Sequence, residues 1–366
     1  MDNLNNSLIR WLSRRTSNRG MNAPIFGHVS LSTDIGLRRA ENQDRVACLR
    51  FSSSAAIDNS FFVVAVADGM GGMNNGAECA VRAIAGLFSG LIRNKDRPEI
   101  ERLKEAANEA NQSVFEYSRG NGGATLSALL VTKLYGSFSL NVGDSRIYAT
   151  NGDGTGRLSR LTVDDSLAEA VGGHGRELLQ FIGMGPSLNA HVNFVGREYD
   201  KFLLTTDGVH FINNGTLEAV LANTQDPSQA ASRLSTLVRW HGAPDNASLA
   251  VFSLEGIHDV LCESPGPIIE VSDSFGDLQL AWIKHDLKSA EHSPFSLEGR
   301  SQRVVDNASK NEELVLPEDA APIRPKKVRQ KRKAKASSKE KANIEGLQIV
   351  IEMESVSKDG SNDTPK

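Results

Sequence analysis

The sequence is poor in cysteine and in aromatic residues, and it lacks long apolar runs. Its three cysteines, Cys48, Cys79 and Cys262, are an odd number without CxxC spacing, which argues against a disulfide framework and against a thiolate metal site. No stretch approaches the roughly 18 uncharged apolar residues of a membrane span, and the arginine-containing first 20 residues lack the apolar run of a signal peptide. We therefore expect a soluble, cytoplasmic protein.

The net charge of −4 is unevenly distributed along the chain. Residues 321–341 contain ten Lys or Arg against one Glu, a net +9, which leaves −13 for the remainder. An acidic body therefore carries a basic tail. From about residue 310 the composition is too charged and too poor in aromatics to bury a core. We expect disorder over 310–366, except for a strand-like alternation at 347–353.

Hydrophobic periodicity predicts an α+β fold with two sheets and helices outside them. An apolar run at 61–66 reads as a buried strand before a glycine-rich turn, and 77–92 and 100–117 have helical spacing. Short strands follow from residue 124, with a hairpin turn at Asn151-Gly152. A strand ending before Asp207, a helix over 217–237 and a closing strand at 249–254 complete the pattern.

These patterns divide the chain into four parts. We expect a flexible segment over 1–24, a folded domain over 25–256, a poorly defined extension over 257–309, and the basic tail over 310–366. Within the extension, IIEVSDS and LQLAWIK read as a strand pair. The pattern leaves open whether this pair packs on the domain or forms a separate element.

Five aspartates, Asp44, Asp68, Asp144, Asp207 and Asp245, stand at the ends of predicted strands. Taken singly, each is explained as a turn or cap residue. Taken together, they form a cluster if the fold gathers these strand ends at one edge. Clustered carboxylates need a cation, and Mg²⁺ or Mn²⁺ takes oxygen ligands of this kind.

The segments around these aspartates resemble motifs of one enzyme family. They are, in chain order, TDIGLRRAENQDR (33–45), VADGMGG (66–72), GGATLSALLV (122–131), NVGDSRIYA (141–149), LTVDDS (161–166), LLTTDGV (203–209) and DNASLAVF (245–252). Seven motifs in this order resemble the PPM, or protein phosphatase 2C-like, family of metal-dependent serine/threonine protein phosphatases, and their compact spacing resembles the bacterial type.

The resemblance implies an αββα sandwich of two packed antiparallel β-sheets flanked by helices. It also implies hydrolysis of phosphoserine and phosphothreonine by a hydroxide that bridges two Mn²⁺ or Mg²⁺ ions, with a third ion in some relatives. The implied catalytic residues are Arg39, which holds the phosphate, Asp44 and Asp68. The implied metal ligands are Asp68, the Gly69 carbonyl, Asp207, Asp245 and, for the additional ion, Asp144.

The implied partner is a phosphoprotein substrate, phosphorylated by an opposing serine/threonine kinase, and we expect a monomer. Nucleic-acid binding is not expected, because the basic tail lacks interleaved aromatic residues. Two alternatives remain open. One is a catalytically weakened PPM-like regulatory or binding module whose tail recruits a partner. The other makes the basic tail the functional part, binding nucleic acid or an anionic membrane.

The sequence departs from the family pattern at several positions. Gln43 stands where a glutamate is common, which removes a negative charge from beside the proposed metal site. Met70 replaces a histidine found in many animal members. Asp165 and Gln180 stand where histidine and arginine are common, and His174 is a further candidate for substrate contact in the glycine-rich segment between them.

Overall fold

The computed structural model describes residues 2–24, 27–52, 59–70, 75–134, 136–152, 156–172, 177–262, 268–284, 341–344 and 347–354, with the backbone alone for 281–284, 341–344 and 347–354. Two antiparallel sheets pack face to face, and helices cover their outer faces. The fold is the expected αββα sandwich. In the described part of the chain no helix has both the length and the apolar character needed to cross a membrane.

Sheet A has six strands among the described residues. In spatial order they are β1 (Arg19–Asn22), β2 (Val29–Asp34), β11 (Ala247–Ser253), β10 (Tyr199–Thr205), β7 (Arg146–Asn151) and β8 (Leu158–Arg160). Sheet B has nine described strands. They are β14 (Lys341–Ile344), β15 (Leu347–Glu354), β13 (Gly276–Lys284), β12 (Ile268–Asp273), β3 (Arg45–Ser52), β4 (Phe61–Ala67), β5 (Leu126–Thr132), β6 (Gly136–Val142) and β9 (His191–Val195).

The helices form the two outer layers. Sheet B is covered by α1 (Asp2–Leu12), α2 (Gly76–Arg93) and α3 (Glu99–Ser118), and sheet A by α5 (Asp207–His210), α6 (Asn214–Ala222) and α7 (Pro227–Trp240). Two further helices are α4 (Leu167–Val171) and α8 (Leu254–Cys262). Strand β4 is apolar throughout because Val64 and Val66 face sheet A while Val63 and Ala65 face the helices.

The single helix expected over 217–237 is two helices in the structure. Helix α6 ends at Ala222, and α7 begins at Pro227. Pro227 lacks an amide hydrogen and so cannot continue a helix interior, whereas the first turn accepts it. The Asp226 carboxylate caps α7 by accepting a hydrogen bond from the Ser228 amide at 2.9 Å.

The N-terminal segment differs from the flexible segment expected over 1–24. Residues 2–12 form α1, whose Leu8 is fully buried against sheet B and the other helices. The Arg14 guanidinium stacks on Trp11 and makes two hydrogen bonds, at 2.7 and 2.8 Å, to the carboxylate of Asp273. The apolar face of α1 and this bidentate ion pair attach the segment to the body.

The structure also places the described residues of the extension, 257–262 and 268–284, within the folded body. Strand β12 pairs with β3 and with β13, and Ile269 and Val271 are fully buried. The strand-like segment at 347–353 corresponds to β15, which pairs with β13. Residues 310–340 of the expected tail lie outside the described residues. Strands β12 and β13 therefore belong to sheet B, although they lie after the boundary expected at residue 256.

Candidate active site

The aspartates from sheet B lie at one end of that sheet. Arg45 pairs with Ala67 in the β3–β4 ladder, which sets Asp44, just before β3, opposite Asp68, just after β4. Asp144 follows β6, whose last residue pairs with the first residue of β5 at the same end. Antiparallel pairing thus brings together residues that are far apart in sequence.

Sheet A contributes Asp207 and Asp245 at the same end of the sandwich. Asp207 follows β10 and Asp245 precedes β11, two strands in which Thr205 pairs with Leu249. Thr205 also pairs with Arg146, the first residue of β7. The turn after β6 therefore crosses from sheet B to sheet A at this end and links the two groups of aspartates.

The pKa values of these carboxylates reflect their mutual repulsion. The pKa of Asp44 is raised to about 7, first by burial and then by the charges of Asp207 and Asp245. Burial also raises the pKa of Asp68, and each of the other four aspartates adds to that rise. The pKa of Asp144 is raised to about 7 by burial and by Asp207. The five carboxylates thus share one electrostatic neighbourhood that favours a cation.

Arg39 lies at the edge of this neighbourhood. Its Nη2 donates a hydrogen bond to Asp245 Oδ2 at 2.6 Å, and its side chain is 46% exposed. That hydrogen bond is the main factor that raises the pKa of Arg39, and the charges of Asp207 and Asp68 add to it. An accessible guanidinium with a planar fork of donors therefore stands beside the acidic cluster.

Asp44 is held in place from sheet A. Its Oδ2 accepts a hydrogen bond from Thr206 Oγ1 at 2.8 Å, and only 1% of the residue is exposed. Its other oxygen, Oδ1, is buried and has no partner in hydrogen-bonding geometry among the described residues. The nearby Ser248 hydroxyl is paired with Thr33 Oγ1 at 2.7 Å. A buried carboxylate oxygen without a hydrogen-bond partner lowers the stability of the fold unless a proton, a water molecule or a cation binds to it.

Gln43 and Gly69 lie against each other beside the cluster. The Gln43 carbonyl accepts a hydrogen bond from the Gly69 amide at 3.2 Å, and Gln43 Nε2 donates to Glu41 Oε2 at 3.2 Å. A Cβ at Gly69 would lie 2.3 Å from the carbonyl oxygen of Gly76. Only glycine fits at this close approach.

Two residues that depart from the family pattern, Asp165 and Gln180, are hydrogen-bonded to each other. Gln180 Nε2 donates to Asp165 Oδ1 at 3.1 Å, and His191 Nε2 lies 2.8 Å from the same oxygen. Asp165 Oδ2 accepts from the Gly143 amide at 3.0 Å. Asp165 therefore ties the segment around Gln180 to the turn that carries Asp144. His174 lies outside the described residues.

Two polar residues within the sequence motifs, Asn246 and Thr206, support the site although neither is a predicted ligand. Asn246 accepts a hydrogen bond from the Gln43 amide at 2.9 Å and donates to the carbonyls of Ile35 and Glu41. Thr206 holds Asp44 and also accepts from the Ser248 amide at 3.0 Å. Each residue is the sequence neighbour of a predicted ligand. Residues in such positions commonly orient ligands through hydrogen bonds, and this is the signal that could have identified them.

The donor chemistry of the site fits a hard divalent cation. Every charged candidate ligand is a carboxylate, the tight packing of Gly69 requires a residue without a side chain, and Asp44 Oδ1 is available. Within the described residues, no three His, Cys, Asp or Glu side chains already stand in a metal-ligating arrangement. The carboxylates are thus near one another without forming a closed ligand shell.

Comparison with known families identifies the chain. The family model described as Protein phosphatase 2C matches residues 38–250, more than half of the sequence. The chain belongs to the protein phosphatase 2C family. Its members are metal-dependent serine/threonine phosphatases that act on phosphoproteins, and by family and fold this chain is a serine/threonine protein phosphatase.

Individual members of the protein phosphatase 2C family resemble the chain over nearly their whole length. A protein of Streptococcus pyogenes serotype M6 assigned to the 2C type is 22% identical over 246 residues, which cover 61% of this chain and 96% of its own. The PPM Ser-Thr phosphatase MsPP from Mycobacterium smegmatis, solved with cacodylate, is 26% identical with a TM-score of 0.51 and covers 61% and 97%.

A third relative shares the fold. The serine/threonine phosphatase Stp1 from Staphylococcus aureus is 19% identical with a TM-score of 0.52, over 66% of this chain and 98% of its own. In each case the relative is matched almost completely while about a third of this chain is left over. The family domain is therefore complete here, and this chain has further residues.

Proposed function

We propose that this protein hydrolyses phosphoserine and phosphothreonine in a phosphoprotein, at the end of the sandwich where the five aspartates meet. The observation that carries the proposal is that strand pairing in both sheets brings all five aspartates to this end. The raised pKa of Asp68, to which burial and all four other aspartates contribute, agrees with it. Crowded carboxylates lower the stability of a fold that binds no cation. Catalytic groups are found where pKa values are displaced in this way.

We infer the ligand set from the chemistry of the donors. Asp68, the Gly69 carbonyl, Asp207 and Asp245 would hold two Mn²⁺ or Mg²⁺ ions, and Asp144 would hold a further one. Such ions, when bound, activate water near neutral pH and offset charge on a phosphoryl group. The PstP catalytic domain, 24% identical with a TM-score of 0.50, was solved in complex with two manganese ions, which supports the proposal of two ions of this kind.

The roles of the other residues follow from their positions. Arg39, exposed beside Asp245, would bind two phosphoryl oxygens of the substrate through its guanidinium. Asp44, held by Thr206, would accept a hydrogen bond from water at Oδ1 and so orient that water. Gln43 and Asn246 would keep the Gly69 loop and the Asp245 loop together.

The test is hydrolysis of p-nitrophenyl phosphate and of a phosphothreonine peptide, with and without Mn²⁺. We expect activity that EDTA abolishes, and loss of about a hundredfold or more in kcat for Asp68→Asn, since that variant removes the central charge of the cluster. Calorimetry should show weakened Mn²⁺ binding by the same variant.

Asp200→Asn is the matched control, because Asp200 is exposed at the opposite end of the strand that leads to Asp207. It should keep wild-type kcat and Mn²⁺ affinity. Wild-type turnover in a folded Asp68→Asn protein would refute the ligand assignment. The alternative of a weakened binding module predicts no metal-dependent hydrolysis by the wild-type protein, so the same assay decides between the two.

A further inference from the structure

A polar cavity lies at the opposite end of sheet B from the aspartates. It has a volume of about 320 Å³ and is bounded by the α2–α3 connection, the start of α3 and the end of β5 at Thr132. Thr132 pairs with Phe61, the first residue of β4, whereas Asp68 follows the last. At roughly 3.3 Å per residue this strand separates the cavity from Asp68 by about 23 Å.

Arg102 is the buried cation that lines this cavity. Only 2% of the residue is exposed, and its guanidinium lies 3.9 Å from the centre of the Phe61 ring. Its Nε donates to the Leu91 carbonyl at 2.9 Å, while its buried Nη2 has no hydrogen-bond partner among the described residues. Guanidinium groups carry five N–H donors, and buried donors are normally satisfied.

The backbone around Arg102 adds positive potential to the cavity. Helix α3 has 20 residues, and its N-cap is Pro98, which makes no side-chain capping hydrogen bond. The N-terminus of such a helix carries partial positive charge and free amide donors. Burial lowers the pKa of Arg102 to about 10, so its side chain is still charged at neutral pH.

The other charged side chains of the lining leave a positive balance. Lys95 and Arg97 join Arg102 against Asp96 and Glu99, a net +1 before the helix terminus is counted. Asp96 already accepts hydrogen bonds from Lys95 Nζ at 2.8 Å and from the Asn59 side chain at 2.7 Å. Asp96 and Glu99 also attract Arg102 electrostatically, but its buried Nη2 still has no hydrogen-bond partner among the described residues.

We propose that this cavity is a phosphate-binding site, separate from the active site, with Arg102 as its central donor and Lys95 and Arg97 at its mouth. A doubly charged tetrahedral anion matches a guanidinium fork, a helix N-terminus and a rim of two further cations. The ligand is free phosphate or a phosphoryl group carried by a peptide, and the inference does not rest on the proposed catalytic role.

The test uses the full chain in EDTA, on an Arg39→Ala background that removes the active-site guanidinium. Its melting temperature is followed against inorganic phosphate at constant ionic strength, because a ligand that binds the folded state raises that temperature. We expect a rise that grows with the logarithm of the phosphate concentration once that concentration exceeds the dissociation constant. In Arg102→Met the phosphate concentration needed for the same rise should increase at least about tenfold.

Two further variants keep the test decisive if Arg102→Met does not fold. The double variant Lys95→Met/Arg97→Met changes partly or fully exposed side chains and should weaken phosphate binding in the same direction. Lys104→Met removes an exposed charge from the same helix outside the cavity and should bind phosphate like its parent. Competition by a phosphoserine peptide assigns the ligand to a peptide, and lack of competition assigns it to free phosphate.

Three outcomes would overturn the proposal. The first is the absence of any phosphate-dependent rise. The second is a rise that is present in the wild-type protein and lost on the Arg39→Ala background, which would place the binding in the active site. The third is the same dependence of melting temperature on phosphate in the parent, in Lys104→Met and in Arg102→Met, or in Lys95→Met/Arg97→Met where Arg102→Met does not fold.

Discussion

At the residue scale, the side chain of Gln43 is the one through which the charge beside the aspartates can be changed. Gln43 donates a hydrogen bond from its side-chain amide to Glu41. Its backbone carbonyl accepts a hydrogen bond from the Gly69 amide, and its backbone amide donates one to the Asn246 side chain. The backbone contacts do not depend on the side chain, so the side chain can be changed without dismantling the loop. The charge beside the cluster is the main quantity that such a change alters.

Replacing Gln43 with Glu should tighten metal binding. The new carboxylate would face Glu41, now paired with the Gln43 amide at 3.2 Å, and would add negative charge beside five aspartates. A bound cation offsets both the repulsion between the new carboxylate and Glu41 and the repulsion from the aspartates. We expect a lower melting temperature in EDTA and an about threefold or greater drop in the Mn²⁺ concentration needed for a given rise above that temperature, measured by thermal denaturation.

Gln112→Glu is the control for this substitution. Gln112 is exposed on α3 and donates to Glu116, so the change creates the same kind of carboxylate pair away from the site. Its Mn²⁺ requirement should equal that of the wild-type protein. An unchanged requirement in Gln43→Glu would mean that this side chain does not sense the metal site.

At the element scale, α1 acts as part of the core rather than as a leader to it. Leu8 is fully buried, Trp11 is 6% exposed, and Arg14 joins the segment to Asp273 in the β12–β13 hairpin. The N-terminal segment is therefore joined to a hairpin whose Asp273 lies 259 residues after Arg14 in the sequence.

Leu8→Ala should lower the free energy of unfolding by about 2–5 kcal/mol, because it removes a fully buried side chain and leaves a cavity. Urea denaturation measures this quantity. Asn6→Ala, at an exposed position of the same helix, should leave stability unchanged or slightly higher, since alanine favours helix. A loss below about 1 kcal/mol for Leu8→Ala would indicate that α1 is not docked in solution.

At the scale of the whole molecule, the position of β12 decides how much chain the enzyme needs. Strand β12 lies between β3 and β13, and it buries Ile269 and Val271. The proposed ligands all precede residue 252, whereas the residues needed for folding continue through β12.

Two truncations test this distinction. A chain ending after Lys284 loses β14 and β15 from the edge of sheet B but keeps the site, and should hydrolyse p-nitrophenyl phosphate within about a factor of two or three of the full chain. A chain ending after Gly256 exposes the β3 edge and the core beneath β12, and should lose cooperative unfolding. Full small-substrate activity in the shorter chain would show that β12 and β13 are dispensable.

The sequence by itself determined the family, the fold class and the aspartates at strand ends, because these features are local. Motifs such as VADGMGG and LLTTDGV carry their residues with them, and apolar runs predict strands without reference to partners. The convergence of Asp44, Asp68, Asp144, Asp207 and Asp245 followed only from resemblance. None of these residues specifies its neighbours across the sandwich.

The tertiary structure decided what depends on pairing between distant segments. It placed α1 and β12–β13 in the core, joined Gln180 to Asp165, and left Arg102 buried beside a cavity far from the aspartates. A short amphipathic helix such as α1 is marginal in isolation and gains its stability from the surface that it covers. That surface belongs to other parts of the chain, so only the folded molecule reveals it.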